Sequence, residues 1–260
     1  MQIAGKNIVI TGAGSGIGAA MARRFAAEGA ASLTLADLDG DAVERVAAGL
    51  ECRTLALRVD VGDEEQVRAM IGRAGEYGPV DLVCSNAGIG TGAGLEATPE
   101  QWASAWAVNV QAHVYAARAA LPGMVERGGG YLLNTCSAAG LLTQPGDAPY
   151  AVTKHAAVAF AEWLALTYGE QGVGVSALCP QGVRTPLLAE ALEGVAGRVV
   201  AAAGSVLEPD DVAEVVVEGL AAERFLILPH PEVAEFERRK ATDRDRWLAG
   251  LRRMVSAVRG

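Results

Sequence analysis

Tyr150 and Lys154 stand four residues apart in the segment PYAVTKHAAVAF, which follows a helical pattern. That spacing places both side chains on one face of a helix. A phenol titrates near ~10 when unperturbed, so alone it is a poor acid–base catalyst at neutral pH. A neighbouring ammonium would favour the phenolate and lower its pKa. The pair indicates proton transfer, although Tyr-x-x-x-Lys also arises by chance on ordinary helix surfaces.

Ser137 lies thirteen residues before Tyr150 and directly follows the apolar stretch 132–136, which is typical of a buried strand. In sheets of parallel strands, ligands bind at the carboxyl ends of the strands. A hydroxyl at such a strand end can donate a hydrogen bond to a carbonyl oxygen of a substrate. Ser137 therefore adds a polarising group to the proton-transfer pair.

A glycine-rich turn, TGAGSGIG at 11–18, follows the first predicted strand and precedes a helix that starts near Ala19. Glycines at this place allow a sharp reversal, close approach of a pyrophosphate and tight packing of helix on strand. The helix N-terminus offers free N–H groups to the phosphates. Two registers fit equally well: Gly14, Gly16 and Ala19 match G-x-G-x-x-A, and Gly12, Gly16 and Gly18 match G-x-x-x-G-x-G.

Asp37 follows the second predicted strand, nineteen residues past Gly18. A carboxylate there can accept hydrogen bonds from both hydroxyls of an adenosine ribose and would repel a 2′-phosphate. No Arg or Lys lies between Arg24 and Arg45 to neutralise such a phosphate. The sequence therefore predicts NAD rather than NADP as the cofactor.

Short apolar runs alternate with longer helical segments along the chain. Continuous apolar runs are typical of strands buried on both faces, as in parallel sheets covered by helices. About six such alternations predict an α/β fold with a doubly wound, mostly parallel sheet of about seven strands. The predicted strands are 6–11, 31–36, 53–59, 80–85, 130–136, 173–179 and 225–228, and the predicted helices are near 16–28, 40–50, 62–76, 99–127, 149–170 and 208–222.

Six motifs occur in order along the chain: T-G-x-x-x-G-x-G at 11–18, Asp60-Val61, Asn86-Ala87-Gly88, the helix residue Asn109, Ser137 with Tyr150 and Lys154, and P-x-x-V-x-T at Pro180, Val183 and Thr185. With these motifs at family spacing, residues 1–229 resemble the short-chain dehydrogenase/reductases in their compact single-domain form. Ser85 departs from the family, which commonly has Asn before N-A-G, and Gln181 replaces the usual Gly after Pro180.

The resemblance implies a role for each of four catalytic residues. Tyr150 would be the general acid for carbonyl reduction or the general base for alcohol oxidation, and Ser137 would orient the carbonyl. Lys154 would lower the pKa of Tyr150 and hold the nicotinamide ribose. Asn109 would hold a water that relays protons towards Lys154.

The resemblance also implies the cofactor contacts. Asp60 would meet the adenine amino group, 86–88 the adenosine-ribose side, and Thr185 the carboxamide. The residues predicted to bind NAD are Gly12, Ser15, Gly16, Ile17, Gly18, Asp37, Leu38, Asp60, Val61, Asn86, Ala87, Gly88, Tyr150, Lys154, Pro180, Val183 and Thr185.

The segments 89–97, 138–147 and 183–196 are the predicted substrate walls. They are apolar with few charges, which suits a neutral, hydrophobic secondary alcohol or ketone, although the same leucines are equally suited to a core. The predicted substrate contacts are Leu95, Leu142, Gln144, Gln181, Leu187 and Leu188.

Residues 230–260 form a second predicted unit, a charged helical tail after the single catalytic domain 1–229. Its apolar stripe, 247–255, could dock on its own or a neighbouring acidic subunit, shape the substrate mouth, or lie on a membrane surface; docking is favoured because acids are interleaved with the arginines. The net charge is +3 here and −12 in 1–229.

Composition narrows the remaining function classes. An acidic chain with a net charge of −9 repels phosphate backbones, so no nucleic-acid partner is predicted.

The N-terminus has no signal-peptide pattern, and no uncharged run would suit a membrane, so a cytoplasmic protein is predicted. The four cysteines match no zinc spacing, so no metal is predicted. Helices 99–120 and 149–168 are apolar or small almost all round, which indicates burial within one chain or against another subunit. The resemblance implies a homodimer or homotetramer.

The sequence thus predicts an NAD-dependent alcohol dehydrogenase or carbonyl reductase. Two alternatives stay open: an NADPH-linked ketoreductase of acyl chains, and a non-catalytic dinucleotide-binding regulator on the same fold. The set of Asn109, Ser137, Tyr150 and Lys154 argues against the regulator, which would need only the glycine turn and Asp37.

Overall fold

A computed structural model describes residues 1–259 and contains a seven-stranded sheet in which every pairing is parallel. Its strands are β1 (Asn7–Thr11), β2 (Ser32–Asp37), β3 (Arg53–Arg58), β4 (Leu82–Ser85), β5 (Gly130–Thr135), β6 (Val173–Leu178) and β9 (Leu226–Ile227). The strand order is β3-β2-β1-β4-β5-β6-β9, so the chain reverses direction across the sheet between β1 and β4. All seven predicted strands are present and the predicted fold class is confirmed.

Helices cover both faces of the sheet because its central strands are buried on both sides and must be shielded from water. One core cluster contains Val9, Val83 and Leu132, and the other contains Ile8, Ile10 and Leu133. The helices between the strands are α1 (Gly16–Ala27), α2 (Gly40–Ala48), α3 (Glu64–Gly75), α4 (Pro99–Trp106), α5 (Ala112–Glu126), α6 (Ala139–Leu142), α7 (Ala148–Tyr168), α8 (Pro186–Ala191), α9 (Val195–Ala203) and α10 (Pro209–Ala221).

The predicted helix 99–127 is interrupted. A π-helical segment, Ala107–Gln111, separates α4 from α5. Such a widened turn is rare and occurs frequently at functional sites. It carries Asn109, so the irregularity coincides with a predicted catalytic residue.

A small second sheet lies beyond β6 and was not anticipated. Its strands β7 (Gly182–Val183) and β8 (Val206–Leu207) pair in parallel. Two residues per strand are too few for a periodic pattern to show in the sequence. This ribbon closes the segment that contains α8 and α9, on the substrate side.

The tail folds into two helices, α11 (Glu232–Thr242) and α12 (Arg244–Arg259), and it packs on its own chain. Val233 is fully buried, and the rings of Phe236 and Trp247 lie 6.0 Å apart against the main core. Lys240 donates hydrogen bonds to the carbonyl oxygen of Leu141 and to His155. The division of the chain after residue 229 stays a prediction. Within residues 1–259, no helix has the length and hydropathy needed to cross a bilayer.

Candidate active site

Lys154 is the buried centre of the site. The residue is 2% exposed, and its ammonium donates a hydrogen bond of 2.9 Å to the carbonyl oxygen of Thr135, the last residue of β5. It lies 5.6 Å from the centroid of the Tyr150 ring, one turn earlier on α7. The predicted pair therefore shares one helix face at the carboxyl end of the sheet. Burial lowers the pKa of Lys154.

The pKa of Tyr150 is raised in the structure, whereas the sequence predicted that Lys154 would lower it. Burial raises its pKa to about 12, and the neighbouring Ser137 hydroxyl counteracts this only in part. The expected lowering by Lys154 is absent because desolvation of the phenolate dominates and the ammonium is directed to Thr135. The phenol is thus held in its protonated form, which suits a general acid.

Ser137 has a left-handed backbone with a φ of +68°, uncommon for a residue other than glycine. Its N–H donates to Leu178, and the following Ala138 donates to Pro180, so the backbone turns sharply where β5 and β6 end. Strained residues of this kind persist where surrounding structure fixes them, often at active sites. The turn positions the Ser137 hydroxyl beside Tyr150.

Asn109 lies beneath the cleft, fully buried. Its side chain accepts a hydrogen bond of 2.9 Å from Ile89 N and donates to Ile89 O at 2.9 Å and to Thr153 Oγ1 at 3.1 Å. The amide therefore fixes the loop after β4 to α7. The implied water relay from Asn109 stays a prediction.

Gly88 is packed between these groups. A Cβ at this position would lie 3.1 Å from Lys154 Nζ and 3.3 Å from Asn109 Oδ1. A larger residue would therefore displace the ammonium or the amide. Close packing therefore favours glycine at the last position of the N-A-G motif.

Asn86 joins the end of β1, where the glycine turn begins, to the end of β5, which precedes Ser137. Its Nδ2 donates to Thr11 O at 3.0 Å, and its Oδ1 accepts from Thr135 Oγ1 at 3.1 Å. The Thr11 hydroxyl in turn accepts from Asn86 N and Ala87 N. These bonds tie together the carboxyl ends of β1, β4 and β5, where the cleft opens.

The glycine turn fits a dinucleotide. A Cβ at Gly18 would lie 2.1 Å from Gly12 O, so glycine is required for α1 to pack on β1. Gly16 has a φ of +51°, and the first turn of α1 carries no acid that would repel a phosphate. Asp37 accepts from Gly14 N at 2.9 Å and from Asp39 N at 3.1 Å, which fixes its carboxylate at the cleft edge. Asp39 itself caps α2 through Ala42 N.

One cleft brings together most of the predicted residues. Of the predicted catalytic and cofactor-binding residues, two do not line this cleft. Gly18 lies in the contact between α1 and β1, and Asn109 is buried beneath the cleft. The lining includes Gly12, Ser15, Gly16, Ile17, Asp37, Leu38, Asp60, Val61, Asn86, Ala87, Gly88, Ser137, Gln144, Tyr150, Lys154, Pro180, Gln181, Val183, Thr185, Leu187 and Leu188.

Two predicted substrate residues are not in this cleft. Leu95 was wrongly predicted: it is 98% exposed on the loop 89–97, with its side chain in solvent rather than against the cleft. Leu142 is buried in α6 and lines a second cavity beside the tail. Gln144 and Gln181 line both cavities.

Asp147, a residue absent from the predicted site, organises the substrate side. Its carboxylate is 4% exposed and accepts hydrogen bonds from Thr91 N, Thr91 Oγ1 and Gly92 N at 2.7–2.8 Å, and from Tyr150 N at 3.0 Å. It therefore caps α7 and fixes the loop after β4 to Tyr150. The signal in the sequence is Asp two residues before Pro149, a helix-start pattern.

Two buried histidines were also missed. His230 accepts from Gln181 N at 3.1 Å and its other nitrogen lies 3.1 Å from Gly182 O, so a neutral ring holds the loop after β6. Burial, and secondarily the charge of Lys154, lower the pKa of His113 to about 4, and its Nδ1 lies 2.9 Å from Asn134 Oδ1. No motif marks either residue.

Known proteins are similar to this chain over most of its length. A family model described as short chain dehydrogenase matches residues 6–196. A 1-deoxy-11-beta-hydroxypentalenate dehydrogenase from Streptomyces exfoliatus is 37% identical over 240 residues, covering 89% of this chain and 86% of that protein. A meso-2,3-butanediol dehydrogenase from Serratia marcescens is 36% identical over 223 residues, covering 83% and 87%.

Solved structures extend the likeness to three dimensions. A short chain dehydrogenase/reductase from Burkholderia phymatum in complex with NAD has a TM-score of 0.85 and 34% identity, with 94% of this chain and 96% of that chain covered. A short-chain dehydrogenase from Sphingobium yanoikuyae in complex with NADPH has a TM-score of 0.78 and 28% identity, covering 94% and 93%.

The role of Asp147 can be tested with Asp147→Ala. Removing a buried acceptor of four hydrogen bonds should lower the free energy of unfolding by roughly 2–3 kcal/mol and kcat about tenfold, because Tyr150 and the loop 89–94 lose their common anchor. Urea unfolding and steady-state kinetics measure the two effects.

Thr98→Ala is the matched control, since Thr98 caps α4 through Gln101 N on the surface. It should cost ~1 kcal/mol of stability and leave kcat intact. An Asp147→Ala enzyme with the kcat of the unmodified protein would refute the positioning role.

Proposed function

The chain belongs to the short-chain dehydrogenase family and is an oxidoreductase, and we propose that it transfers hydride between NAD and a secondary alcohol or its ketone. The observation that carries the proposal is the meeting of Ser137, Tyr150 and Lys154 in the cleft that also holds the glycine turn and Asp37. A dinucleotide regulator would need only the last two.

The chain's own residues supply the proton chemistry. Because burial keeps Tyr150 protonated, its hydroxyl can donate a proton to the oxygen of a ketone held by Ser137. In the reverse direction the phenolate must form, and the nearest cation of the chain is the Lys154 ammonium. NAD⁺, when bound, would supply the hydride acceptor and a further positive charge.

Residues around the cleft would hold that cofactor in place. Thr185 and Lys154 would contact the nicotinamide end, 86–88 the adenosine-ribose side, and Asp60 the adenine. A Cβ at Gly16 would lie 2.9 Å from Thr185 Cγ2, so the two loops approach closely only with glycine there. The water that should link Asn109 to Lys154 belongs to this proposal.

Asp37 supports NAD over NADP. Its carboxylate is fixed by two backbone N–H groups and faces the cleft. Arg58 of β3 is paired in register with Asp37 of β2. Within residues 1–259 the two side chains make no ion pair. The carboxylate is therefore left to accept ribose hydroxyls, and a 2′-phosphate would meet its charge.

The reacting end of the substrate is apolar and uncharged in this proposal. Leu187 and Leu188 line the same cleft as Tyr150, and Gln144 and Gln181 are among its polar lining residues. The relatives named above, a butanediol dehydrogenase and a hydroxypentalenate dehydrogenase, act on alcohols by their names. Location in the cytoplasm remains a prediction.

Tyr150→Phe tests the catalytic assignment. It removes only the hydroxyl, so NADH should still bind with unchanged affinity by fluorescence titration. Turnover of a panel of secondary alcohols, followed by NADH absorbance, should fall by at least ~10³-fold.

Tyr168→Phe, at the last residue of α7, makes the same change away from the cleft and should retain full activity. Appreciable turnover by Tyr150→Phe would sink the assignment. Tight NADH binding by an unmodified protein that turns over no alcohol or ketone would instead favour the regulator.

Asp37→Asn tests the coenzyme preference. The unmodified protein should prefer NAD⁺ to NADP⁺ in kcat/KM, and the variant should lose at least ~tenfold of that ratio because the repelling charge is gone. Asp41→Asn, the same change in the first turn of α2 and outside the cleft, should not alter it. A preference of the unmodified enzyme for NADP⁺ would contradict the argument.

We also propose that copies of the chain associate through α4 and α7. Four large apolar side chains there are exposed: Trp106 (41%), Val152 (48%), Trp163 (52%) and Leu166 (86%). An exposed apolar surface of this kind marks an interaction site.

Leu166→Glu should therefore shift the mass measured by light scattering from a dimer or tetramer towards a monomer. Leu95→Glu, at a leucine exposed elsewhere, should not. A monomeric unmodified protein at micromolar concentration would refute the association.

A further inference from the structure

The second cavity, of about 820 Å³, lies between the tail helices and the body of the chain. It adjoins the catalytic cleft, because Gln144, Gln181 and Val200 line both. A substrate whose carbinol carbon lies at Tyr150 can thus extend past these residues into the second cavity. Its volume lies in the range of small-molecule sites.

The wall supplied by α12 is apolar. Trp247, Leu251 and Met254 recur at helical spacing on the face of α12 that borders the cavity, and Leu142 and Val199 line it from the body. The tail stripe found in the sequence is therefore in large part a cavity wall. Such a lining favours a hydrocarbon chain or ring system.

The rim is basic. Four arginines and only two carboxylates, Glu235 and Asp243, line the cavity. Arg238 and Arg239 both pair with Glu235 at 2.7 Å, whereas Arg246 and Arg253 make no ion pair within residues 1–259. Their positions seven residues apart on α12 put both guanidinium groups on one side of that helix.

The walls also contain polar groups without partners. Gln181 Oε1 and Trp247 Nε1 are buried and make no hydrogen bond to any described residue. Buried polar atoms are nearly always satisfied in native proteins, by protein, water or ligand. Both belong to residues that line the second cavity.

Resting on the proposed function, we propose that the substrate is an amphipathic hydroxy acid. Its secondary alcohol would react at Tyr150, its apolar body would fill the second cavity, and its carboxylate would bind Arg246 and Arg253. A guanidinium matches a carboxylate with paired N–H donors. The uncharged character predicted for the substrate then applies to its reacting end only.

The test compares (ω−1)-hydroxy fatty acids of increasing chain length with their methyl esters, using NAD⁺. Above the length that reaches the rim, the acid should have a kcat/KM about tenfold higher than its ester, and added salt should reduce this ratio. Short acids that cannot reach the rim should show no preference.

Arg246→Gln combined with Arg253→Gln should bring the acid-to-ester ratio to about one. Arg252→Gln is the control, because Arg252 carries the same charge on α12 and does not line the cavity. Thermal unfolding confirms that each variant is folded.

The possible failures are distinguishable. If neither acids nor esters nor other secondary alcohols are oxidised, the proposed function itself fails. If esters are oxidised and acids are no better at any length, or the double variant keeps the preference, the hydroxy-acid proposal is wrong and the function stands.

Discussion

The hydrogen bond from the buried Lys154 ammonium to the carbonyl oxygen of Thr135 is the interaction on which the site depends. Taking an ammonium out of water is costly, so everything around it is constrained. Gly88 must lack a side chain, Asn109 must anchor Ile89, and the α7 face that carries Tyr150 must lie over the end of β5. Thr135, which accepts the bond from Lys154, also donates its hydroxyl to Asn86, and Asn86 in turn donates to Thr11 at the end of β1.

The sheet and the motif residues could be predicted because their signals are local. Continuous apolar strands such as 7–11 and 82–85 indicate a parallel sheet without knowledge of any contact, and the glycine turn marks where α1 must approach β1. The pKa of Tyr150 could not be predicted, since it depends on how completely the phenol is desolvated. That quantity is set by the packed structure and not by the Tyr-x-x-x-Lys spacing.

The roles of residues that act through long-range hydrogen bonds could not be predicted from the sequence either. Asp147 is recognisable as a helix cap, but its bonds to Thr91 and Gly92, more than fifty residues earlier, appear only in the fold. His230 similarly reaches back to Gln181. The exposed position of Leu95 shows the converse error, because an apolar residue in a loop gives no sign of which way it faces.

The account depends most on the charge state of the partly buried Tyr150 phenol responding to a cation. Difference absorbance near 295 nm, taken between the unmodified protein and Tyr150→Phe, follows its phenolate directly and requires no substrate. Without cofactor the phenol should stay protonated up to about pH 12, and saturating NAD⁺ should bring its titration to a clearly lower pH. A Tyr150 that titrates at the same pH with and without NAD⁺ would contradict the account.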